Sequence, residues 1–96
     1  MSTHRYLVVA YDIPSDRRRA RLARLLEGFL EHVQESVFEG PIDDGKCERL
    51  RRAIGRAVDP GRDAVRIYSL CRRCRGATEV IGVGMIVEDE PEDIVL

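Results

Sequence analysis

The 96-residue sequence has no tryptophan, only three tyrosines and two phenylalanines, and a single lysine, Lys46. No apolar run approaches the ~20 residues that a transmembrane helix needs, and the N-terminus does not show the pattern of a secretory signal peptide. The scarcity of aromatic residues argues against a sheet that stacks on bases as RNA-recognition domains do. We therefore expect one globular cytoplasmic domain, residues 1–96, that does not contact a membrane.

The three cysteines, Cys47, Cys71 and Cys74, are odd in number and do not form an obvious disulfide framework. Cys71 and Cys74 have the spacing of metal ligands, but a lone pair cannot complete a tetrahedral zinc site. We interpret these two cysteines as small, partly buried residues at the end of a strand.

The net charge of −1 conceals a strong asymmetry along the chain. Residues 1–76 carry all 16 basic residues and 11 acidic ones, whereas residues 77–96 carry six acidic residues and no basic one. Fifteen of the basic residues are arginine, whose planar guanidinium suits bidentate phosphate contacts. A GC-rich genome explains such a composition equally well, so composition alone leaves phosphate binding open.

The apolar pattern predicts strands at 5–12, 33–39, 63–70 and 80–87, helices at 16–31 and 45–58, and a short final strand at 94–96. Ser15 is the expected N-cap of the first helix, and Asp43 or Asp44 that of the second. Gly40 and Pro41 are expected to end the second strand. The pattern is typical of an α+β ferredoxin-like sandwich, an antiparallel sheet with two helices on one face. Such folds, however, have a hairpin before the second helix, and this assignment contains none.

Asp12 is the most informative residue, because it ends the first predicted strand just before an arginine-rich helix. A carboxylate at the end of a strand can bind a metal ion, and it can equally cap the following turn. Arg17, Arg18, Arg19 and Arg21 at the start of the helix can contact phosphate, or form a solvated face that is salt-bridged to Asp16.

Three segments of the sequence resemble the CRISPR-associated protein two family. They are Tyr11-Asp12-Ile13 before the arginine-rich helix, VQESVFEG at residues 33–40, and DAVRIYSL at residues 63–70. The resemblance implies a ferredoxin-like homodimer that bridges two dimers of the CRISPR integrase, CRISPR-associated protein one, during spacer acquisition. It also implies binding to duplex DNA or RNA, and an Mg²⁺-dependent endoribonuclease or endodeoxyribonuclease activity for at least some members.

The resemblance also suggests roles for individual residues. It places the family's metal-binding and catalytic carboxylate at Asp12. Other positions of the family's site fall on Tyr11, Arg19, Arg21 and Phe38. The sequence departs from some members at His32, where they have arginine. We interpret His32 as a partner for the carboxyl end of the first helix rather than as a general base.

Residues 88–96 form an acidic tail, for which the resemblance implies a short strand at the dimer interface. The alternative to a CRISPR role is a ferredoxin-like RNA-binding or RNA-cleaving toxin-type module.

Overall fold

The computed structural model describes residues 4–71, 74 and 76–82. The elements follow in the order β1 (His4–Asp12), α1 (Asp16–Glu27), β2 (Glu31–Gln34), β3 (Val37–Asp43), α2 (Asp44–Ala57) and β4 (Ala64–Leu70). All strand pairs are antiparallel, and the order across the sheet is β2-β3-β1-β4. The predicted α+β ferredoxin-like fold is therefore confirmed.

The predicted single strand at 33–39 is wrong, because this segment forms a hairpin. Glu35 and Ser36 make the turn, and Gln34 pairs with Val37 across it. Neither turn residue is a glycine, proline, asparagine or aspartate, so the usual signal of a hairpin turn is missing from the sequence. This hairpin supplies the strand pair that ferredoxin-like folds have before the second helix.

The prediction that Gly40 and Pro41 end this strand is also wrong, since β3 continues to Asp43. Pro41 pairs with Tyr6 of β1 and lies beyond Glu39, the last β3 position that pairs with β2. The missing N–H of Pro41 therefore costs no hydrogen bond to β2. β2 itself is short and contains a register shift between His32 and Gln34.

Both helices begin with the predicted side-chain caps. The Ser15 hydroxyl accepts a hydrogen bond from Arg18 N at 3.2 Å, and the Asp43 carboxylate accepts one from Lys46 N at 2.8 Å. α1 ends at Glu27 and is capped at Gly28, four residues before the predicted end at residue 31. The apolar rhythm continues past this end because Phe29 and Leu30 still pack against the core.

The core lies between the helices and one face of the sheet. Alternate β1 residues face the helices, and the central side chains are fully buried: Leu7, Val9, Leu22, Leu26, Phe38 and Leu50. The two helices therefore cover the same face, as predicted. No helix within the described part of the chain is long and apolar enough to cross a lipid bilayer.

Two predictions concern the C-terminal end of the chain. Of the predicted strand at 80–87, residues 80–82 are described and are not in a strand. Its remaining residues, the acidic tail at 88–96 and the strand at 94–96 lie outside the described residues.

Candidate active site and nucleic-acid interface

Asp12 is the last residue of β1 and pairs with Ala64, the first residue of β4. Its side chain is exposed and makes no hydrogen bond or salt bridge with any residue that the structure describes. Asp12 therefore does not cap the turn that follows it. No described residue occupies its oxygen lone pairs, which can therefore serve a ligand.

A cleft of about 550 Å³ opens beside Asp12, between the first half of α1 and the β2–β3 hairpin. Tyr11 N donates a hydrogen bond to the carbonyl oxygen of Ser36 at 3.1 Å, which holds the hairpin turn against the end of β1. The ionisable side chains that line the cleft are Asp12, Asp16, Arg19, His32 and Glu35, together with the phenol of Tyr11. The cleft is thus polar, and it mixes acidic with basic groups.

Three rings pack against one another next to the cleft, and two of them, those of Tyr11 and His32, also line it. The rings of Tyr11 and Phe38 are stacked with centroids 6.4 Å apart, and His32 lies parallel to Phe38 at 4.4 Å. Phe38 is fully buried and Tyr11 nearly so, which fits packing rather than stacking on a nucleic-acid base. Burial raises the pKa of Tyr11, so its hydroxyl stays protonated at neutral pH.

His32 lies on β2 rather than at the end of α1, which corrects the interpretation drawn from the sequence. Its Nε2 atom is 3.2 Å from the carbonyl oxygen of Glu35, within the hairpin turn. This contact and the stack on Phe38 fix the imidazole in the wall of the cleft.

Arg18 forms a salt bridge with a carboxylate that lies just before β4. Its Nε and Nη2 atoms donate to the two carboxylate oxygens of Asp63 at 2.8 and 3.0 Å. The Asp63 side chain has no solvent exposure, and it also accepts a hydrogen bond from Asp59 N at 2.8 Å. The bidentate contact lowers the pKa of Asp63 and raises that of Arg18. Arg18 therefore joins α1 to the start of β4.

Arg19 stabilises the turn that follows Asp12. Its Nη1 atom donates to the carbonyl oxygen of Ile13 at 2.7 Å, and Nη2 donates to the carboxylate of Asp16. Two of the cleft's charged groups, Arg19 and Asp16, thus pair with each other. This contact matches the alternative in which part of the arginine run is salt-bridged to Asp16.

Arg17 and Arg21 differ from these two arginines. Both side chains are exposed, and neither forms a salt bridge with the residues described here. They lie one turn apart on α1, so their guanidinium groups point to the same side of the helix. The arginine run of the sequence thus contains two kinds of residue, anchored and available.

A further set of arginines was not singled out from the sequence. α2 packs beside α1 and carries exposed arginines without a salt bridge inside the described ranges: Arg49, Arg51, Arg52 and Arg56. Helical periodicity was the signal that could have found them, since the buried stripe of α2 fixes which face is exposed.

The carboxylates of the cleft do not form a complete metal site in one chain. No group of three or more histidine, cysteine, aspartate or glutamate residues in the described ranges could hold a metal ion. Magnesium usually takes one or two carboxylates and keeps several waters. The exposed Asp12 fits such a ligand, provided that a second chain contributes another carboxylate.

Comparison with known proteins identifies a family that this chain matches over most of its length. The family model for CRISPR associated protein Cas2 matches residues 5–78. The chain is 49% identical over 84 residues to the CRISPR-associated endonuclease Cas2 2 of Thermus thermophilus, covering 88% of this chain and 89% of that protein.

Two solved structures extend this similarity to three dimensions. The hypothetical protein TT1823 from Thermus thermophilus superposes with a TM-score of 0.78 at 48% identity, over 86% of this chain and 96% of the other. A chain of a partial Cas6-RT-Cas1–Cas2 complex gives a TM-score of 0.67 at 26% identity, over 80% of this chain and 90% of the other. On the strength of the family match and the long, highly identical alignments, this chain belongs to the Cas2 family of CRISPR-associated proteins.

Proposed function

We propose that the chain acts in CRISPR adaptation as a homodimer that binds the backbone of duplex nucleic acid and bridges two dimers of the Cas1 integrase. The observation that carries the proposal is the exposed Asp12 at the end of β1, followed on α1 by the exposed Arg17 and Arg21, none of which forms a hydrogen bond or salt bridge with the described residues. Family membership and the similar chain in a Cas1–Cas2 complex support the integrase as partner. The same evidence does not favour the RNA-binding or toxin-type alternative.

Dimerisation is supported by the face of the sheet opposite the helices. Among the described residues no helix covers this face, which carries the partly buried Val8, Val37 and Pro41 and the 46% exposed Tyr68. A chain of 96 residues has a small core, so burial of this face against a second copy would add substantially to its stability.

Nucleic-acid binding is assigned to Arg17 and Arg21 as direct contacts with phosphate. Arg18 and Arg19 have structural roles. Arg18 anchors α1 to Asp63, and Arg19 stabilises the turn after Asp12. Contacts of this kind attract any duplex irrespective of its base sequence and weaken as salt rises.

Cleavage of phosphodiester bonds is assigned to Asp12 of both chains, brought together across the two-fold axis of the dimer. Magnesium held by the two carboxylates would supply positive charge for the phosphoryl oxygens and a lowered pKa for an attacking water. The protein's own part is to keep Asp12 exposed at a fixed strand end and to place Arg17 and Arg21 where they bind the flanking phosphates.

The direct test compares the wild-type protein with Asp12→Ala in a cleavage assay with Mg²⁺ on both RNA and duplex DNA. We expect Asp12→Ala to abolish cleavage of either substrate while the protein remains a folded dimer in light scattering. Glu48→Ala is the matched control, because it removes an exposed acid on α2 without touching the cleft. Cleavage by purified Asp12→Ala at the wild-type rate would refute the catalytic role of Asp12.

The adaptation role is tested separately, because it does not depend on cleavage. We expect the Asp12→Ala dimer to co-elute with purified Cas1 from the same organism and to support integration of a duplex into a CRISPR array in vitro. A wild-type protein that neither binds Cas1 nor stimulates integration would refute the proposal.

A further inference from the structure

Two cysteines that play no part in the proposed function lie directly after β4. Cys71 and Cys74 are exposed, and their Sγ atoms lie 3.3 Å apart in a hydrogen bond. The backbone N–H of Cys74 donates a second hydrogen bond to Cys71 Sγ at 3.4 Å. The interpretation as partly buried residues is therefore wrong, because both cysteines are exposed and their thiols lie close together.

The geometry is close to that of a disulfide. The sulfurs need to approach by roughly 1.3 Å to reach the disulfide length of about 2.0 Å. Exposed side chains reach such positions by small rotations about χ1. Because both residues follow Leu70, the last residue of β4, closure requires no rearrangement of the described sheet.

The two thiols are not equivalent. The hydrogen bond to Cys71 and the charge of its thiolate both raise the pKa of Cys74. The N–H of Cys74 points at Cys71 Sγ, where it stabilises negative charge. This N–H contact favours Cys71 as the attacking thiolate and Cys74 as the thiol that reacts second.

We propose that Cys71 and Cys74 form a reversible intramolecular disulfide by exchange with a small-molecule disulfide such as oxidised glutathione. The Cys71 thiolate attacks one glutathione sulfur, so the glutathione S–S bond breaks, a mixed disulfide forms and one glutathione thiolate leaves. Cys74 loses its proton and attacks Cys71 Sγ, which breaks the mixed disulfide and releases the second glutathione. Two electrons pass from the protein to glutathione, and the two thiol protons end on the two released glutathione molecules.

This site is remote from the proposed active site. Cys71 follows Leu70, which pairs with Tyr6, whereas Asp12 lies at the other end of β1. Tyr6 and Asp12 are six residue steps apart on β1, about 20 Å. Failure of the disulfide proposal therefore leaves the nuclease and adaptation proposals untouched, and the reverse also holds.

The experiment treats the native full-length protein with oxidised glutathione in the presence of EDTA and measures its intact mass. We expect a loss of about 2 Da, corresponding to two hydrogen atoms, that dithiothreitol reverses. Cys47→Ser should show the same loss, because Cys47 is buried and takes no part. Cys71→Ser and Cys74→Ser should each instead retain a glutathione adduct on the remaining exposed thiol.

Two results would overturn the proposal. One is a wild-type protein that accumulates stable glutathione adducts or disulfide-linked dimers without the 2 Da loss. The other is protein that, prepared without EDTA, holds about one zinc ion per two chains on these cysteines, which would identify a shared metal site instead.

Discussion

Replacement of Arg17 and Arg21 by alanine should weaken duplex binding. It should also reduce the salt dependence of the affinity, which reports the number of phosphate contacts. Both guanidinium groups are exposed and unpaired within the described ranges, so each can bind one phosphate. Each arginine–phosphate contact contributes about 0.9 to the slope of log affinity against log salt concentration. Two such residues in each chain of a dimer therefore predict that the double variant loses about 3.6 from this slope.

The difference is large enough to measure by fluorescence anisotropy with a labelled DNA duplex. Between 50 and 200 mM salt, the wild-type protein should lose roughly 150-fold more affinity than Arg17→Ala/Arg21→Ala. Arg5→Ala is the matched control, because it also removes an arginine but lies at the far end of β1 in an exposed pair with Asp44. Its slope should stay close to that of the wild type.

Arg18→Ala separates the anchored from the available arginines. Its loss should lower the melting temperature, because it leaves the inaccessible Asp63 carboxylate without its bidentate partner. The salt slope of the folded variant should remain unchanged. An unaltered slope in Arg17→Ala/Arg21→Ala, or a lowered slope with unchanged stability in Arg18→Ala, would refute the division of roles.

Two further predictions concern stability. The pKa of Asp63 is lowered in the folded protein, so its stabilising contribution is present above the ordinary aspartate pKa of about 3.9 and is lost as pH falls through the folded-state value. Asp63→Asn should therefore melt at a lower temperature than the wild type at pH 7, and the gap should close in acid; a gap that does not depend on pH would contradict this cause. Ser15→Ala removes the N-cap of α1 and should cost about 1 kcal/mol in urea unfolding, whereas Ser15→Asp should retain most of the stability; equal losses in both would show that the cap contributes little.

The sequence was sufficient for the features that depend on neighbouring residues. Ser15 and Asp43 cap their helices as predicted, since a cap contacts a backbone N–H only three residues away. Asp12 was placed correctly at the end of a strand because an apolar run ends there. Apolar periodicity likewise predicted which side of each helix packs against the sheet, because it is read from residues three or four positions apart.

Other features required the folded chain. The hairpin turn at Glu35 and Ser36 contains no glycine, proline, asparagine or aspartate, so one long run of strand-forming residues concealed two strands. Arg18 pairs with Asp63, 45 positions away, and no local pattern distinguishes it from Arg17. Which arginines are available for phosphate is therefore a property of tertiary structure and not of the arginine run.

The two edges of the sheet are not equivalent. β2 forms one edge, and its four residues and its register shift offer a poor template for another strand. β4 forms the other edge with seven regular residues, from Ala64 to Leu70. Its outward N–H and C=O groups are unpaired by any strand in the described ranges. A further strand, whether from this chain or from another, is therefore expected to pair with β4 and not with β2.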